Sequence, residues 1–380
     1  MDPDRPMTLL GGMSAALFMR RHWQKKPLVI RDALPGALAE VDRARLLALA
    51  AEDGVESRLV VRSGRRWSVR HGPIARRSLP PRGTPAWTVL VQGVDLHDDA
   101  AHRLLRRFRF IADARLDDVM CSWAADGGGV GPHVDSYDVF LLQASGRRRW
   151  RIARDFDATL DPRAPLKVLR RFVPEQELVL EAGDLLYLPP NWAHEGVALG
   201  GDCMTCSIGM RAPQRGTLAA ELVQRIAETH EDAKLYGDAG QGAADSPAAI
   251  PRPLAKFADN AVRRLAQRPG ALARALGEVL SEPKATVWFR KTTVAWRPSA
   301  VVLDRRTRML YDARHVFVNG ESVPARGKDA ALLRRLADER TLDESAVRAA
   351  SSTIRRLLAE WFAAGWLQAR RPAVVRNARR

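Results

Sequence analysis

The sequence predicts a mainly β domain over residues 1–213, a helical region over 214–284 and a winged-helix-like α+β domain over 285–380. Three observations carry this division. Up to about residue 213 the apolar residues fall in short runs cut by Gly and Pro, the texture of a β barrel with helical decoration. From Gly216 onward Leu218, Leu222, Val223, Ile226 and Ala227 recur at helical spacing. Beyond Ala285 short apolar runs and an Asn319-Gly320 hairpin signal precede two helical stretches.

In chain order, residues 13–22 read as an N-terminal helix, and Met120-Cys121-Ser122-Trp123 as a strand running into the glycine loop Gly127 to Gly131. That loop fails the dinucleotide-binding glycine pattern because Pro132 takes its third position, so its glycines are read as allowing close approach of a bound peptide. Arg147 to Ile152 is a strand. Gly183-Asp184 is a tight turn, Leu185-Leu186-Tyr187-Leu188 a short buried strand, and Pro189-Pro190-Asn191 a second turn. Residues 236–253, rich in Gly, Ala and Pro, form a loop. Helical periodicity resumes through Leu254, Phe257, Val262, Leu265, Leu272, Leu276 and Leu280; such a layer suits either a dimer interface or packing on its own barrel. Strands follow at 301–303, 309–311 and 315–318, helices at 330–337 and 346–363, and a last strand at 365–368. Many modules of this kind place a helix in the DNA major groove, which makes DNA binding an alternative.

Composition excludes several classes. Hydrophobic residues make up 46% of the 380, so the chain is globular. No stretch approaches the ~20 apolar residues of a membrane span, and no compact apolar signal core opens the chain. Three cysteines, Cys121, Cys203 and Cys206, argue for a reducing cytoplasm rather than a disulfide framework. Cys203-x2-Cys206 lacks the second pair that structural zinc requires. The formal net charge of +17 lies almost wholly in residues 251–380, where 27 Lys and Arg stand against 12 Asp and Glu. This basic half reads either as a contact for polyanions such as RNA, DNA or ribosomal particles, or as solvated helix faces.

The chemistry rests on His133-x-Asp135 and on Gly183-x5-Pro189-x-Asn191-x2-His194. Residues i and i+2 of a strand share a face, so His133 and Asp135 reach one ion while Val134 turns away, and His194 closes the site from a second, roughly antiparallel strand. Two imidazoles and one carboxylate are the ligands of a facial Fe(II) triad, which leaves three positions open. The turn-strand-turn leading to His194 resembles the second motif of the cupin, or double-stranded β-helix, superfamily. With His-x-Asp in the first motif, the likeness narrows to 2-oxoglutarate oxygenases. Such an enzyme must hold the far carboxylate of its cosubstrate with a cation. In Arg147-Arg148-Arg149-Trp150-Arg151-Ile152, alternation puts Arg148 with Trp150 and Ile152 on the inner face, so Arg148 is the candidate clamp, with Ser122 as a hydroxyl donor.

The segments from Gly127 to Phe140, Gly146 to Trp150, Pro189 to Gly196 and Gly209 to Pro213, together with Trp23 to Arg31, resemble the bacterial JmjC-type ribosomal oxygenases, in the branch that hydroxylates an arginine of a large-subunit ribosomal protein. The likeness covers at least residues 20–213. It implies Fe(II) on His133, Asp135 and His194, 2-oxoglutarate on Arg148 and Ser122, O₂ as oxidant, a ribosomal protein as substrate and a homodimer. No protein nucleophile or general base is required. For the arginine, Asp126 is the expected carboxylate, Tyr137 the flat wall and Ser207 a further hydrogen-bonding group. JmjC-type demethylation and a DNA-binding regulator with a metal-sensing barrel are the alternatives.

Overall fold

Successive strand residues point to opposite faces of a sheet, and in the first 212 residues that alternation separates a cavity wall, which carries the polar groups, from an apolar shell. The structure is a computed structural model, and it describes residues 2–36, 41–81, 83–229 and 232–369. Two units emerge, Met1–Ala212 and Pro213–Arg380.

The first unit contains helices α1 (Ala15–Arg21), α2 (Arg43–Ala50) and α3 (Asp99–Arg106) and strands β1 (Leu28–Ile30), β2 (Ser57–Ser63), β3 (Arg66–His71), β4 (Trp87–Val91), β5 (Leu116–Ala124), β6 (His133–Val134), β7 (Val139–Ala153), β8 (Gln176–Leu180), β9 (Leu185–Leu188) and β10 (Ala193–Met210). All ten join one antiparallel sheet in the order β1-β9-β7-β10-β5-β4-β2-β3, with β6 on β10 and β8 on β7. The long strands β7 and β10 bend. Their register shifts between Leu199 and Met204, where Gly146 and Asp202 take positive φ. The first half of β10 therefore pairs β6 and the end of β7, and its second half pairs β5 and the start of β7.

Alternation is visible on every wall. On β5, Asp118, Met120 and Ser122 face the cavity, while Val119, Cys121 and Trp123 join the apolar shell around Phe18, Leu46 and Leu104. On β10, Thr205, Ser207 and Gly209 face in, and Met204, Cys206 and Ile208 face out. Cys121 and Cys206 are direct cross-strand partners, and the structure joins them as a disulfide; Cys203 is buried and free. This corrects the cysteine reading. A count of three did not reveal a bonded pair, because strand register rather than chain spacing brings the two sulfurs together.

The glycine loop is also placed differently from the expectation. A Cβ on Gly128 would lie 2.4 Å from Trp87 O, and one on Gly129 2.4 Å from Gly196 O. These glycines let the loop lie against the barrel's own strands, which leaves no need for a bound peptide to explain them.

The second unit contains α4 (Arg215–Glu228), α5 (Arg252–Gln267) and α6 (Ala271–Ser281), then β11 (Val301–Leu303), β12 (Met309–Tyr311), β13 (His315–Val318), β14 (Glu321–Pro324), α7 (Gly327–Glu339), β15 (Thr341–Leu342), α8 (Glu344–Ala349), α9 (Ser352–Ala363) and β16 (Leu367–Ala369). Helix α6 crosses the β12-β13-β14 sheet at Gly277, where any Cβ would meet the Phe317 ring at 2.3 Å. Asn319 and Gly320 make the β13–β14 turn, both at positive φ. The single helix expected over 346–363 is two: Ala350 is extended, and Ser351 caps α9 by accepting from Ile354 N. No helix among the described residues is long and apolar enough to cross a membrane.

One buried carboxylate ties the metal-motif loop to the shell. Asp138 has no exposed surface and accepts from Tyr187 Oη at 2.6 Å, Gln24 Nε2 at 3.0 Å and Arg115 Nη2 at 3.4 Å. Removing it strands a buried hydroxyl and an amide. Asp138→Ala is expected to cost about 3 kcal/mol, read as a lower urea midpoint at unchanged slope, with Asp138→Asn closer to wild type.

Candidate metal centre

The pairing of β6 with β10 sets His133 directly opposite His194. Their rings lie 4.2 Å apart, and His194 Nε2 is 3.7 Å from Asp135 Oδ2. One ligand atom from each of His133, Asp135 and His194 falls within 4.8 Å of the others. The tautomers are fixed from behind. His133 Nδ1 lies 3.0 Å from Gly131 O and His194 Nδ1 2.9 Å from Trp192 O, so each Nδ1–H donates to a carbonyl and each Nε2 is left as a ligand. Asn191 N donates to Asp135 O at 2.8 Å, which holds the carboxylate-bearing loop against the turn before His194. Burial, then the neighbouring His133, push His194 down to about 4, against the pull of Asp135, so its imidazole is neutral at neutral pH. This donor set suits a first-row divalent metal ion with three positions left for other ligands.

The triad opens into a cavity of about 490 Å³. Arg148 lines it at 5% exposure, next to Trp150 on the same face of β7. Its Nη1 donates weakly to Gly196 O at 3.4 Å, while Nε and Nη2 are buried without a partner. A buried guanidinium with idle donors is costly unless an anion meets it. Gly196 makes its position possible: a Cβ there would lie 2.8 Å from the Trp150 ring and 3.0 Å from Arg148 Cδ. Ser122 lines the same cavity and donates to Thr205 O at 3.3 Å. Of the arginines facing the other way, Arg147 is exposed and Arg151 pairs with Glu195.

Tyr137 and Ser207 also line the cavity. Burial and the adjacent Asp135 push the Tyr137 hydroxyl well above its ordinary range, so it stays a donor. Asp126 does not join them. It is exposed, and its carboxylate accepts Gly200 N at 2.7 Å in the turn where β10 bends. Besides Asp135, the carboxylates that line the cavity are Asp117 and Asp118; Asp118 is 3% exposed and takes the Gln92 amide at 2.8 and 3.1 Å. Sequence reasoning missed Asp118 although the signal was present, since it precedes Ser122 by two strand repeats on the same face. Thr88 on β4 was missed as well. Its hydroxyl is buried in the cavity wall without a partner, and nothing in an otherwise apolar strand marks it.

A double-stranded β-helix that gathers two imidazoles, a carboxylate and a buried cation with idle donors around one cavity defines a metal-dependent oxygenase of the cupin type. Residues 103–218 match the JmjC domain and residues 263–368 the ROXA-like winged helix. The chain is 32% identical over 320 residues to ribosomal protein uL16 3-hydroxylase of Escherichia coli (strain K12), spanning 80% of this chain and 84% of that one. It is 39% identical over 210 residues to a probable ribosomal oxygenase of Haemophilus influenzae, 53% of this chain and 50% of that one. The solved structure of YcfD, a ribosomal oxygenase from Escherichia coli in complex with cobalt and 2-oxoglutarate, matches with a TM-score of 0.79 at 28% identity over 93% of this chain and 97% of that one. The chain belongs to the JmjC-domain ribosomal oxygenases, which are 2-oxoglutarate-dependent oxygenases.

His194 gives the site a pH signature. In the unfolded chain its imidazole takes a proton near 6.5, and in the folded, metal-free protein only near 4. Between these values the unfolded state holds the extra proton, so stability is lost as pH falls from about 6.5 toward about 4. Thermal melts of chelator-treated protein are expected to show a Tm falling through that window, with a flatter profile for His194→Gln.

Proposed function

We propose that this protein is an Fe(II)- and 2-oxoglutarate-dependent hydroxylase acting on an arginine side chain, at Cβ, of a large-subunit ribosomal protein. The observation that carries the reading is Arg148: a buried guanidinium with two idle donor nitrogens, in the same cavity as the triad. Its geometry calls for a carboxylate, and its charge makes little sense without one.

His133 and His194 would hold iron through Nε2 and Asp135 through its carboxylate. Bound iron with 2-oxoglutarate and O₂ supplies the oxidation of an unactivated C–H bond. Arg148 fixes the distal carboxylate of the cosubstrate, with Ser122 and the partnerless hydroxyl of Thr88 as further donors. For the arginine of the substrate, Asp118 takes the guanidinium role first assigned to Asp126, because it is the buried carboxylate on the cavity wall. Tyr137 offers its ring to the aliphatic stem, and Ser207 a hydrogen bond. Walls of Val139, Leu141 and Leu90 keep water from the reacting carbon. Such a substrate is met in the cytoplasm.

The helical layer supports a homodimer. No residue of α5 is buried, and Val223, Leu254, Val262, Leu272 and Leu276 of α4 to α6 are exposed apolar side chains at helical spacing. A second copy of the chain would cover them.

Three measurements follow. Mass spectrometry of ribosomal proteins from cells lacking the protein, complemented with wild type or Asp135→Ala, is expected to show a gain of one oxygen on an arginine with wild type only. Loss of a methyl group instead would establish demethylation, and no mass change would refute the proposal. Arg148→Gln, which truncates one partner of a buried charged contact, is expected to weaken 2-oxoglutarate by about 2 kcal/mol, roughly 30-fold in its KM. Light scattering should give a dimer mass for wild type and a monomer for Leu254→Glu/Val262→Glu; a wild-type monomer would refute the dimer.

A further inference from the structure

Residues 57–94 contain eight arginines and no Asp, Glu or Lys, while the rest of residues 1–250 is net acidic. Most of this charge is displayed by the β2–β3 hairpin and the turn after it. On the face toward the cavity, Arg58 pairs with His71, Val60 with Val69 and Arg62 with Trp67. The first two pairs line the catalytic cavity, and the Trp67 ring reaches Gly131, two residues before His133. The Arg62 guanidinium lies 5.7 Å from the Trp67 ring centroid. On the opposite face Arg66 and Arg70 are exposed, Arg65 occupies the hairpin tip, and exposed Arg76 and Arg77 follow in a short 3-10 turn. The hairpin is thus a cationic wall that begins in the active site and ends in solvent.

Among the described residues, none of these arginines forms an ion pair. Their polar partners are Met120 Sδ for Arg58 and Ser78 O for Arg70. The basic second unit behaves differently. Along its helices Arg263 pairs with Asp259, Arg274 with Glu278, Arg335 with Glu339, Arg348 with Glu344 and Arg356 with Glu360, each one helical turn apart. In the second unit helical ion pairs match part of the charge, although residues 251–380 keep 27 Lys and Arg against 12 Asp and Glu; on the hairpin, among the described residues, none is matched. Uncompensated like charges repel and gain nothing for the fold. Arginine rather than lysine favours forked hydrogen bonds to phosphate, and an aromatic ring among the arginines suits stacking of unpaired bases.

We propose that the β2–β3 hairpin is an RNA-binding surface that grips the phosphate backbone of ribosomal RNA beside the protein segment entering the cavity. The ribosomal identity of that RNA rests on the proposed substrate; the RNA-binding surface rests on the hairpin alone. RNA is favoured over an acidic peptide because the hairpin offers forked phosphate donors on its outer face and, at the cavity edge, an aromatic ring beside Arg62.

The test uses the full-length protein and a fluorescein-labelled RNA stem-loop with a single-stranded flank, titrated by anisotropy over a series of KCl concentrations. Wild type is expected to bind with a steep salt dependence. Arg65→Glu/Arg66→Glu/Arg77→Glu, all exposed and off the cavity face, should weaken binding at least ~10-fold and reduce the salt slope by about 2, since each phosphate contact contributes roughly 0.7 to 0.9. The corresponding Lys triple variant, which keeps the charges, should bind nearly as wild type, and both should keep the wild-type melting temperature. Hydroxylation of a free arginine-containing peptide should be unchanged in both. If the peptide is not hydroxylated by wild type, the enzymatic reading fails while the anisotropy result still decides the surface. The proposal is overturned if wild type fails to bind the RNA, if the Glu triple variant binds as wild type, if only reversal of Arg263, Arg264 and Arg268 in the second unit abolishes binding, or if a glutamate-rich peptide binds the hairpin as tightly as the RNA.

Discussion

Each imidazole of the triad is turned by the carbonyl two residues before it: Gly131 O holds His133 Nδ1, and Trp192 O holds His194 Nδ1. Everything else at the site depends on this repeated contact. It fixes the tautomer, leaves both Nε2 atoms free toward the site and, because β6 pairs with β10 in that register, sets the two rings 4.2 Å apart at a tilt of 57°. The main chain thereby does the work that a second layer of carboxylates does in other metal sites. At His194 burial, then the neighbouring His133, favour the neutral imidazole.

The bend in β7 and β10 turns this local device into a reaction chamber. Because each strand serves two parts of the sheet, inward-facing residues from the two halves converge: His194 from one half of β10, Thr205 and Ser207 from the other. Glycine and Asp202 at positive φ permit the bend, and Asp126 caps Gly200 within it. The apolar shell lies on the outside, where Phe18, Phe108, Phe140 and Tyr187 interlock around the Asp138 network.

What could be read from the chain was whatever depends on strand alternation. The inward face of Arg148 follows from a period of two, and β11, β12 and β13 from short apolar runs; Asp135, expected on the strand of His133, lies just past the end of β6, yet its carboxylate still reaches the site. What could not be read depends on register. Asp118 shares the face of Ser122 by alternation, but Asp126 lies beyond the end of β5, and only the bend of β10, whose Gly200 N it accepts, decides that it caps a turn. The Cys121–Cys206 pair was hidden for the same reason. The break between α8 and α9 was hidden because the apolar spacing carries on through Ala350, and a serine cap is a weak signal inside an alanine-rich stretch. Thr88 shows a further limit: an unpartnered hydroxyl is a property of its surroundings, which no residue type announces.

Gly196 is two residues past His194 on β10 and lies opposite Trp150 on β7, with Arg148 one inward position further along. The cation and the metal ligand are therefore separated by a fixed number of peptide units on two hydrogen-bonded strands, at about 3.3 Å per residue. Slipping the register by the two residues that preserve side-chain facing would move the guanidinium by nearly 7 Å. The chamber thus contains a ruler whose marks are main-chain hydrogen bonds, and the span between the buried cation and the triad is set by the pairing of β7 with β10 rather than by any one side chain.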